Sequence, residues 1–223
     1  MALQMDFLKS AGYFRALSAA EMLALTELVF EKTAQRGDVL QHDGEPAAAL
    51  YLVVNGAVKV SIISPEGKEQ ILDIAGPGDT FNDVPALDDG PSLAGARAMG
   101  LVLLYGIRKG DLIAFLRSHP AAAWNAVEVL ADKVRQLVAL VENLSFRHVI
   151  GRVARLLLEH AGDGTAPGPR LTQQEMAAIV GTAREVVGRS LKTLEEEGVI
   201  RFDRHRIVIT NRAALAERVD STV

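Results

Sequence analysis

Residues 171–200 read LTQQEMAAIVGTAREVVGRSLKTLEEEGVI and contain two helix-start patterns separated by one glycine. Thr172 is followed three residues later by Glu175, the form of a capping box, and a helix is expected to begin there. Thr182 and Glu185 repeat that form and predict a second helix. Gly181 between them suits the positive φ that a chain often adopts on leaving a helix. Two helices joined by a short, glycine-containing turn predict a helix-turn-helix.

The second helix separates apolar from charged residues. Val187, Leu191 and Leu194 have the i, i+4, i+7 spacing of a buried stripe. The residues opposite share a sector of about 140° at 100° per residue: Arg184, Glu185, Gly188, Arg189 and Lys192. They form either a solvated face with i,i+4 pairs or a surface that reads base edges. Arginine can bond guanine O6 and N7 and glutamate can accept from cytosine N4, so two arginines and a glutamate around a glycine favour the second interpretation.

The segment Arg184-Glu185-Val186-Val187-Gly188-Arg189 resembles the recognition helix of the CRP/FNR family of bacterial transcription regulators, and its flanks are similar too. The resemblance implies a TGTGA-like half-site in an inverted repeat of double-stranded DNA, with RNA polymerase as a further partner if the protein is an activator. The predicted DNA-contacting residues are Arg184, Glu185, Arg189, Thr182, Gln174 and Lys192.

Charge and composition are compatible with this prediction. The net charge is −4, but residues 1–144 carry −6 and residues 145–223 carry +2, so the positive balance lies with the helix-turn-helix. The chain has no cysteine, which excludes disulfides and cysteine-ligated iron–sulfur clusters and suits a reducing compartment. It shows neither a signal peptide nor an apolar run of membrane-spanning length. A cytoplasmic protein without a membrane partner is expected.

The N-terminal half is predicted to be mainly β-structure after short helices. Ser18 and Glu21 form a cap pattern, and apolar alternation follows in Leu50–Val54 and Val58–Ile62, with turn signals at 65–68 and 76–79. Gly44–Asp79 resembles the β-roll of cyclic-nucleotide-binding domains. The predicted fold is α+β: an antiparallel β-roll (double-stranded β-helix) in residues 1–120, a long dimerisation helix in 121–145, and a winged helix-turn-helix in 146–223.

The long helix carries an apolar seam with the 3,4 spacing of a heptad repeat. Its members are Val127, Leu130, Val134, Leu137, Val141 and Leu144. Arg135, Lys133 and Glu142 lie outside this seam, which favours a parallel two-helix homodimer. The alternative is an amphipathic helix packed on its own β domain.

The remaining C-terminal signals are a helix, a loop and a hairpin. Phe146–Ala161 is predicted to be a helix with Val149, Val153, Leu156 and Leu157 on one side, and residues 162–170 form a Gly/Pro-rich loop. Residues 199–209 predict a small hairpin, the wing. Its three arginines are candidate phosphate contacts or ordinary solvated charges: Arg201, Arg204 and Arg206.

The β-roll departs from its family at the phosphate-binding cassette. The resemblance implies Gly-Glu where this chain has Asn82-Asp83, and Arg-Ser where it has Leu93-Ala94, while Pro85 is expected to interrupt the short helix. Arg97 stands four residues late, about 13 Å along a strand, and only a bulge would turn it inward.

The resemblance implies a polar pair on the long helix that meets adenine in cyclic-AMP-responsive members, and this chain has Leu137-Val138 there. An anion is therefore expected to meet neither arginine nor hydroxyl groups, so cyclic AMP is not the predicted effector.

No other site chemistry stands out. The five histidines, His42, His119, His148, His160 and His205, form no i,i+3 or i,i+4 pair, so no metal site is predicted. A single His or Met leaves haem possible as a cofactor. No catalytic constellation is present and no enzyme is expected. Two classes of function stay open: a DNA-binding transcription regulator and a ligand-sensing signalling module without a DNA role.

Overall fold

The computed structural model describes residues 7–9, 11–160, 171–203 and 206–219. Within these residues the chain divides into two compact units: residues 1–63 with 71–136, and residues 64–70 with 137–223. The predicted loop at 162–170, the end of the predicted helix at Ala161, and Arg204 and His205 at the tip of the wing lie outside the described residues. The predicted α+β class is confirmed by both units.

Unit 1 begins with a 3₁₀ turn, Gly12–Phe14, and helix α1, Ala19–Leu28. The predicted cap is present: the Ser18 side chain accepts from the Glu21 N–H while the Glu21 carboxylate accepts from the Ser18 N–H. The first strand starts directly after α1, at Val29.

Eight strands form two antiparallel four-stranded sheets in the orders β1-β8-β3-β6 and β2-β7-β4-β5. The first four are β1 (Val29–Ala34), β2 (Val39–Gln41), β3 (Ala49–Asn55) and β4 (Val58–Ile63). The others are β5 (Glu69–Ala75), β6 (Thr80–Phe81), β7 (Gly95–Ala98) and β8 (Val102–Arg108). The turns predicted at 65–68 and 76–79 are present: the Ser64 N–H donates to the Lys68 carbonyl, and the Asp79 N–H donates to that of Gly76.

Strand β3 is buried on both faces because it separates two apolar clusters. Tyr51 and Val53 pack in the cluster between the two sheets, and Leu50 and Leu52 pack in a second cluster with α1 and the later helices. Successive side chains of β3 therefore point alternately into two different hydrophobic clusters.

Three further helices belong to this part of the chain, one between β6 and β7 and two after β8. They are α2 (Asp83–Leu87), α3 (Lys109–Ser118) and α4 (Pro120–Phe146), the last of which continues into unit 2. Pro85 does not interrupt α2, so that prediction is wrong. It occupies the first turn, where backbone N–H groups have no intrahelical acceptor and a proline removes nothing.

Unit 2 contains helices α5 (Val149–His160), α6 (Gln173–Val180), α7 (Arg184–Glu196) and α8 (Arg212–Val219), with the hairpin β9 (Ile200–Asp203) and β10 (Arg206–Ile209). The predicted apolar side of α5 is confirmed, since Val153, Leu156 and Leu157 are buried and Val149 packs against the same core. Helix α8 was not predicted. Its signal is Asn211, whose side-chain oxygen accepts from the Ala214 N–H, and Leu215 anchors it in the core.

No helix in the described ranges is both long and apolar enough to cross a membrane.

Candidate functional site

The predicted helix-turn-helix is formed by α6, the turn 181–183 and α7. The Thr172–Glu175 box is complete in both directions, at 2.7 Å and 3.1 Å. Gly181 ends α6 at φ 68°, and its neighbour Thr182 donates its N–H to the Ala177 carbonyl. A side chain at Gly181 would be strained in that backbone conformation and would also meet Leu144 at 2.6 Å.

The second predicted capping box is wrong. Helix α7 starts at Arg184, its N-cap is Ala183, and the Thr182 side chain makes no cap bond. The reason is the tight turn after α6: Thr182 donates its own N–H to Ala177 and is still part of the helix ending. Thr182 is half-buried in the turn.

Helix α7 exposes the charged face that its sequence predicts. Val187, Leu191 and Leu194 are buried in the core of unit 2 together with α5, α6 and α8. Burial of that stripe leaves the opposite face in solvent, so Arg184, Glu185, Arg189 and Lys192 are exposed.

Three of these charged side chains have no partner among the described residues. Lys192 lies 3.6 Å from Glu196 in an exposed i,i+4 pair, whereas the side chains of Arg184, Glu185 and Arg189 make no hydrogen bond or ion pair with any residue in the described ranges. Their charged groups are therefore available to an external ligand.

The surroundings of this face leave it accessible. A Cβ built on Gly188 would meet its nearest neighbour, Gln173 Oε1, at 3.9 Å, so intramolecular packing does not require glycine there. Gln174 on α6 is exposed. The hairpin predicted as the wing is present, with Arg206 exposed and Arg201 3.8 Å from Asp203.

The predicted effector site in unit 1 begins at Asn82 and Asp83. Asn82 has φ 65°, the left-handed conformation that asparagine tolerates better than most residues, and its side-chain amide donates to Gln41 Oε1 at 3.1 Å. This explains how asparagine occupies a position where the resemblance implies glycine.

Asp83 is buried, with a side chain only 4% exposed, and its acceptors are used by the protein itself. Its Oδ1 accepts from the hydroxyl groups of Tyr13 at 2.9 Å and Thr80 at 2.5 Å. Its Oδ2 lies 3.0 Å from Lys133 Nζ, which also donates to the Thr80 carbonyl at 2.8 Å. We call Tyr13, Thr80, Asp83 and Lys133 the Asp83 cluster.

Burial keeps the Tyr13 hydroxyl of the Asp83 cluster protonated. Burial, reinforced by the charge and hydrogen bond of Asp83, raises the pKa of the Tyr13 phenol far above its usual value, so Tyr13 remains a donor. Burial also raises the pKa of nearby Asp73, although Lys133, 3.9 Å away, opposes that shift.

The sequence did not predict the Asp83 cluster. Lys133 was placed only outside the seam, and the expectation of no hydroxyl groups concerned Leu93-Ala94 and Leu137-Val138 without considering Tyr13 or Thr80. The hydroxyls of Tyr13 and Thr80 are present, but both donate to Asp83. No local signal joins residues 13, 80, 83 and 133, because they meet only through the fold.

The other predicted pocket residues do not supply a phosphate partner. Leu93 is 66% exposed and Ala94 is buried without a hydroxyl. Arg97 points away from the sheet interior, where its neighbours Ala96 and Ala98 are buried, and donates to the Gly37 carbonyl at 2.6 Å. A bulge does occur in β2 opposite β7, yet it leaves Arg97 on the outer face. These residues do not fit a cyclic phosphate.

The seam of α4 is largely uncovered by the rest of the chain. Val127, Val134, Leu137 and Val141 are exposed, at 53%, 59%, 45% and 63%, while Leu130 and Leu144 are half-buried. Trp124 and Val138, which flank the seam, are also exposed. The face that α4 buries in unit 1 is a different one: Ala122, Asn125 and Ala126. Within unit 1, the exposed seam residues Val127 and Val134 therefore do not pack on the β sheets.

No metal site is formed by the described residues. His119 and His160 place Nδ1 at 2.7 Å and 3.2 Å from carbonyl oxygens of Phe115 and Leu156, and His42 and His148 are exposed. Haem binding stays a prediction without an assigned ligand.

Together these features define a class of protein: an eight-stranded β-roll joined through a long helix to a winged helix-turn-helix. Two family models match the same two regions, the cyclic nucleotide-binding domain over residues 31–119 and the Crp-like helix-turn-helix domain over residues 151–218.

Relatives match nearly the whole chain. A "CRP-like cAMP-activated global transcriptional regulator" of Mycobacterium tuberculosis is 31% identical over 220 residues, covering 96% of this chain and 98% of the relative. A "Cyclic AMP receptor protein" of Thermus thermophilus is 31% identical over 210 residues, covering 94% of this chain and 97% of the relative. The structure of FixK2 from Bradyrhizobium japonicum aligns with a TM-score of 0.75 at 25% identity, covering 85% of this chain and 96% of that one. The chain belongs to the CRP/FNR family of transcription regulators, which are not enzymes.

The corrected start of α7 generates a prediction about helix caps. Thr172→Ala should lower the free energy of unfolding of unit 2 by about 1 kcal/mol, because it removes an N-cap acceptor and breaks the box with Glu175. Thr182→Ala is the matched control and should lose none of this cap energy. Urea unfolding followed by circular dichroism measures both. Equal losses in the two variants would mean that Thr182 caps α7 after all.

Proposed function

We propose that this protein is a homodimeric, sequence-specific DNA-binding transcription regulator that recognises an inverted repeat with TGTGA-like half-sites. The observation that carries the proposal is the exposed set Arg184, Glu185 and Arg189, which has no partner within the described ranges and stands at the start of the second helix of a helix-turn-helix. In such motifs the N-terminal residues of the second helix contact base edges in the major groove.

The chemistry of these side chains matches the proposed half-site. Arg184 and Arg189 each offer a guanidinium fork for guanine O6 and N7, and Glu185 accepts from a cytosine N4 amino group. Gln174, Thr182 and Lys192 are assigned to the surrounding contacts, with Lys192 placed at a phosphate. The Crp-like helix-turn-helix match favours this function over a signalling module without a DNA role.

The proposed dimer uses the seam of α4. Exposed valine and leucine side chains at heptad spacing along a helix of 27 residues form a stripe that a second copy can bury. A two-fold protein also matches a two-fold DNA site. We assign residues 1–120 to a sensor-like β-roll, 121–145 to dimerisation and 146–223 to DNA binding.

The effector is proposed to differ from that of the relatives named for cyclic AMP. Asp83 is satisfied internally, and Leu93, Ala94, Leu137 and Val138 offer neither charge nor a hydroxyl group. A cyclic phosphate entering there would lose hydration without gaining a charged partner.

The first prediction concerns base reading. Arg189→Ala should weaken binding to the selected site by about 1–3 kcal/mol and relax the preference for guanine at one position. Lys192→Ala should weaken all sequences alike and reduce the salt slope by about one phosphate. Fluorescence anisotropy at several salt concentrations measures both effects. Arg117→Ala, which removes an exposed arginine from α3, is the control and should change neither.

The site itself is tested by selection from random DNA. The expected product is an inverted repeat whose half-site centres lie about 34–36 Å apart or slightly more. Selected sequences without two-fold symmetry, or without guanine at the positions assigned to Arg184 and Arg189, would contradict the proposal.

The second prediction concerns the dimer. Leu137→Glu should give monomers in sedimentation velocity, because two facing carboxylates in an apolar seam combine desolvation with repulsion. Gln136→Glu introduces the same charge one residue away, outside the seam, and should leave the dimer intact. A Leu137→Glu protein that sediments as a dimer would place the interface elsewhere.

The third prediction concerns the effector. Calorimetry should detect no saturable binding of cyclic AMP or cyclic GMP below about 10 μM, since a lost charge-assisted contact alone weakens binding by one to two decades. Arg97→Ala should behave as the wild type. Micromolar binding that this substitution abolishes would show that Arg97 turns into the site in solution.

A further inference from the structure

The Asp83 cluster joins the long helix to the β-roll through the protein's own groups. Lys133 lies on α4, Thr80 on β6 and Tyr13 in the 3₁₀ turn, and all three converge on one buried carboxylate. A buried carboxylate is tolerated when a cation and hydrogen-bond donors face it. Among the described residues, Lys133 is the basic side chain that lies within ion-pair distance of Asp83.

A second contact holds α4 about 12 Å earlier along its axis. The buried Asn125 side chain donates to the Tyr13 carbonyl at 3.2 Å. Tyr13 therefore serves both contacts, since its carbonyl accepts from Asn125 and its hydroxyl donates to Asp83. Two contacts separated by eight residues fix both the rotation and the axial position of a helix.

We infer that the Lys133–Asp83 ion pair is a built-in clamp that sets the position of α4 on the β-roll without a nucleotide. This inference rests on the proposed function in one respect, namely that no cyclic nucleotide is the effector. Three of the roughly four acceptor positions of the Asp83 carboxylate are occupied, and its side chain is 4% exposed. A further donor, such as a sugar hydroxyl, would find at most one acceptor position on this nearly fully buried carboxylate, whose positive partner is already Lys133.

The clamp has a direct consequence for the seam. Lys133 is the residue before Val134, so the ion pair that holds Lys133 inward keeps Val134 in the exposed stripe. Arg135 provides a contrast on the same turn: it pairs with Asp132 at 2.6 Å, but both side chains are at least 70% exposed. A surface pair of that kind contributes little.

Hydrogen exchange of the full-length protein tests the clamp without DNA. In the wild type without nucleotide, the amides of residues 127–136 should be protected. Lys133→Met should speed their exchange by about tenfold or more, because the carboxylate loses its cation. Lys133→Arg keeps the charge and should retain most of the protection, and Arg135→Met is the matched surface control that should leave it unchanged. Repeating the comparison in the Leu137→Glu background separates the clamp from protection that a partner copy provides.

Three results would overturn the inference. The first is equal exchange in Lys133→Met and Arg135→Met. The second is an α4 that is unprotected in the nucleotide-free wild type, which decides the matter even where Lys133→Met fails to fold. The third is slower exchange of α4 in the wild type on adding about 1 mM cyclic AMP, a concentration that fills even weak sites. None of these exchange measurements uses DNA. If only the DNA-binding proposal fails, the exchange pattern expected for the clamp is still observed, but selection from random DNA returns no inverted repeat.

Discussion

The buried carboxylate of Asp83 imposes a constraint that organises unit 1. A charge removed from water has to be neutralised and hydrogen-bonded where it lies. The chain meets this need with two hydroxyl groups and one ammonium group from three separate elements. The 3₁₀ turn, strand β6 and helix α4 are thereby tied to one point. Asp83, predicted as part of a degenerate effector site, is therefore in this structure a junction between three elements.

The contacts of Asp83 also determine which face of helix α4 packs on unit 1. Its inward face is used by Ala122, Asn125, Ala126 and Lys133 for contacts inside unit 1. The residues at heptad spacing are then left on a different face, where Val127, Val134, Leu137 and Val141 are exposed. One helix therefore carries on separate faces its attachment to the β-roll and an exposed apolar stripe, which is the surface proposed for a second copy.

In unit 2, burial of apolar side chains determines which face of a helix is exposed. Val187, Leu191 and Leu194 bury one face of α7, and burial of that stripe dictates that Arg184, Glu185 and Arg189 face solvent. Helix α8, anchored by Leu215, completes the core beneath the helix-turn-helix. The stability of the small domain and the exposure of its charged side chains therefore have a single cause.

Sequence alone determined what depends on neighbours along the chain. The Thr172–Glu175 cap, the positive φ of Gly181, the buried stripe of α7 and the seam of α4 all follow from spacings of three or four residues. The predicted start of α7 was wrong because the Thr182 N–H donates to the Ala177 carbonyl, so Thr182 still belongs to the end of α6. What only the tertiary structure decided was the state of Asp83. Thr80 is three positions from Asp83, but Tyr13 and Lys133 lie 70 and 50 positions away. Contacts between side chains so distant in sequence have no period along the chain that a pattern could reveal.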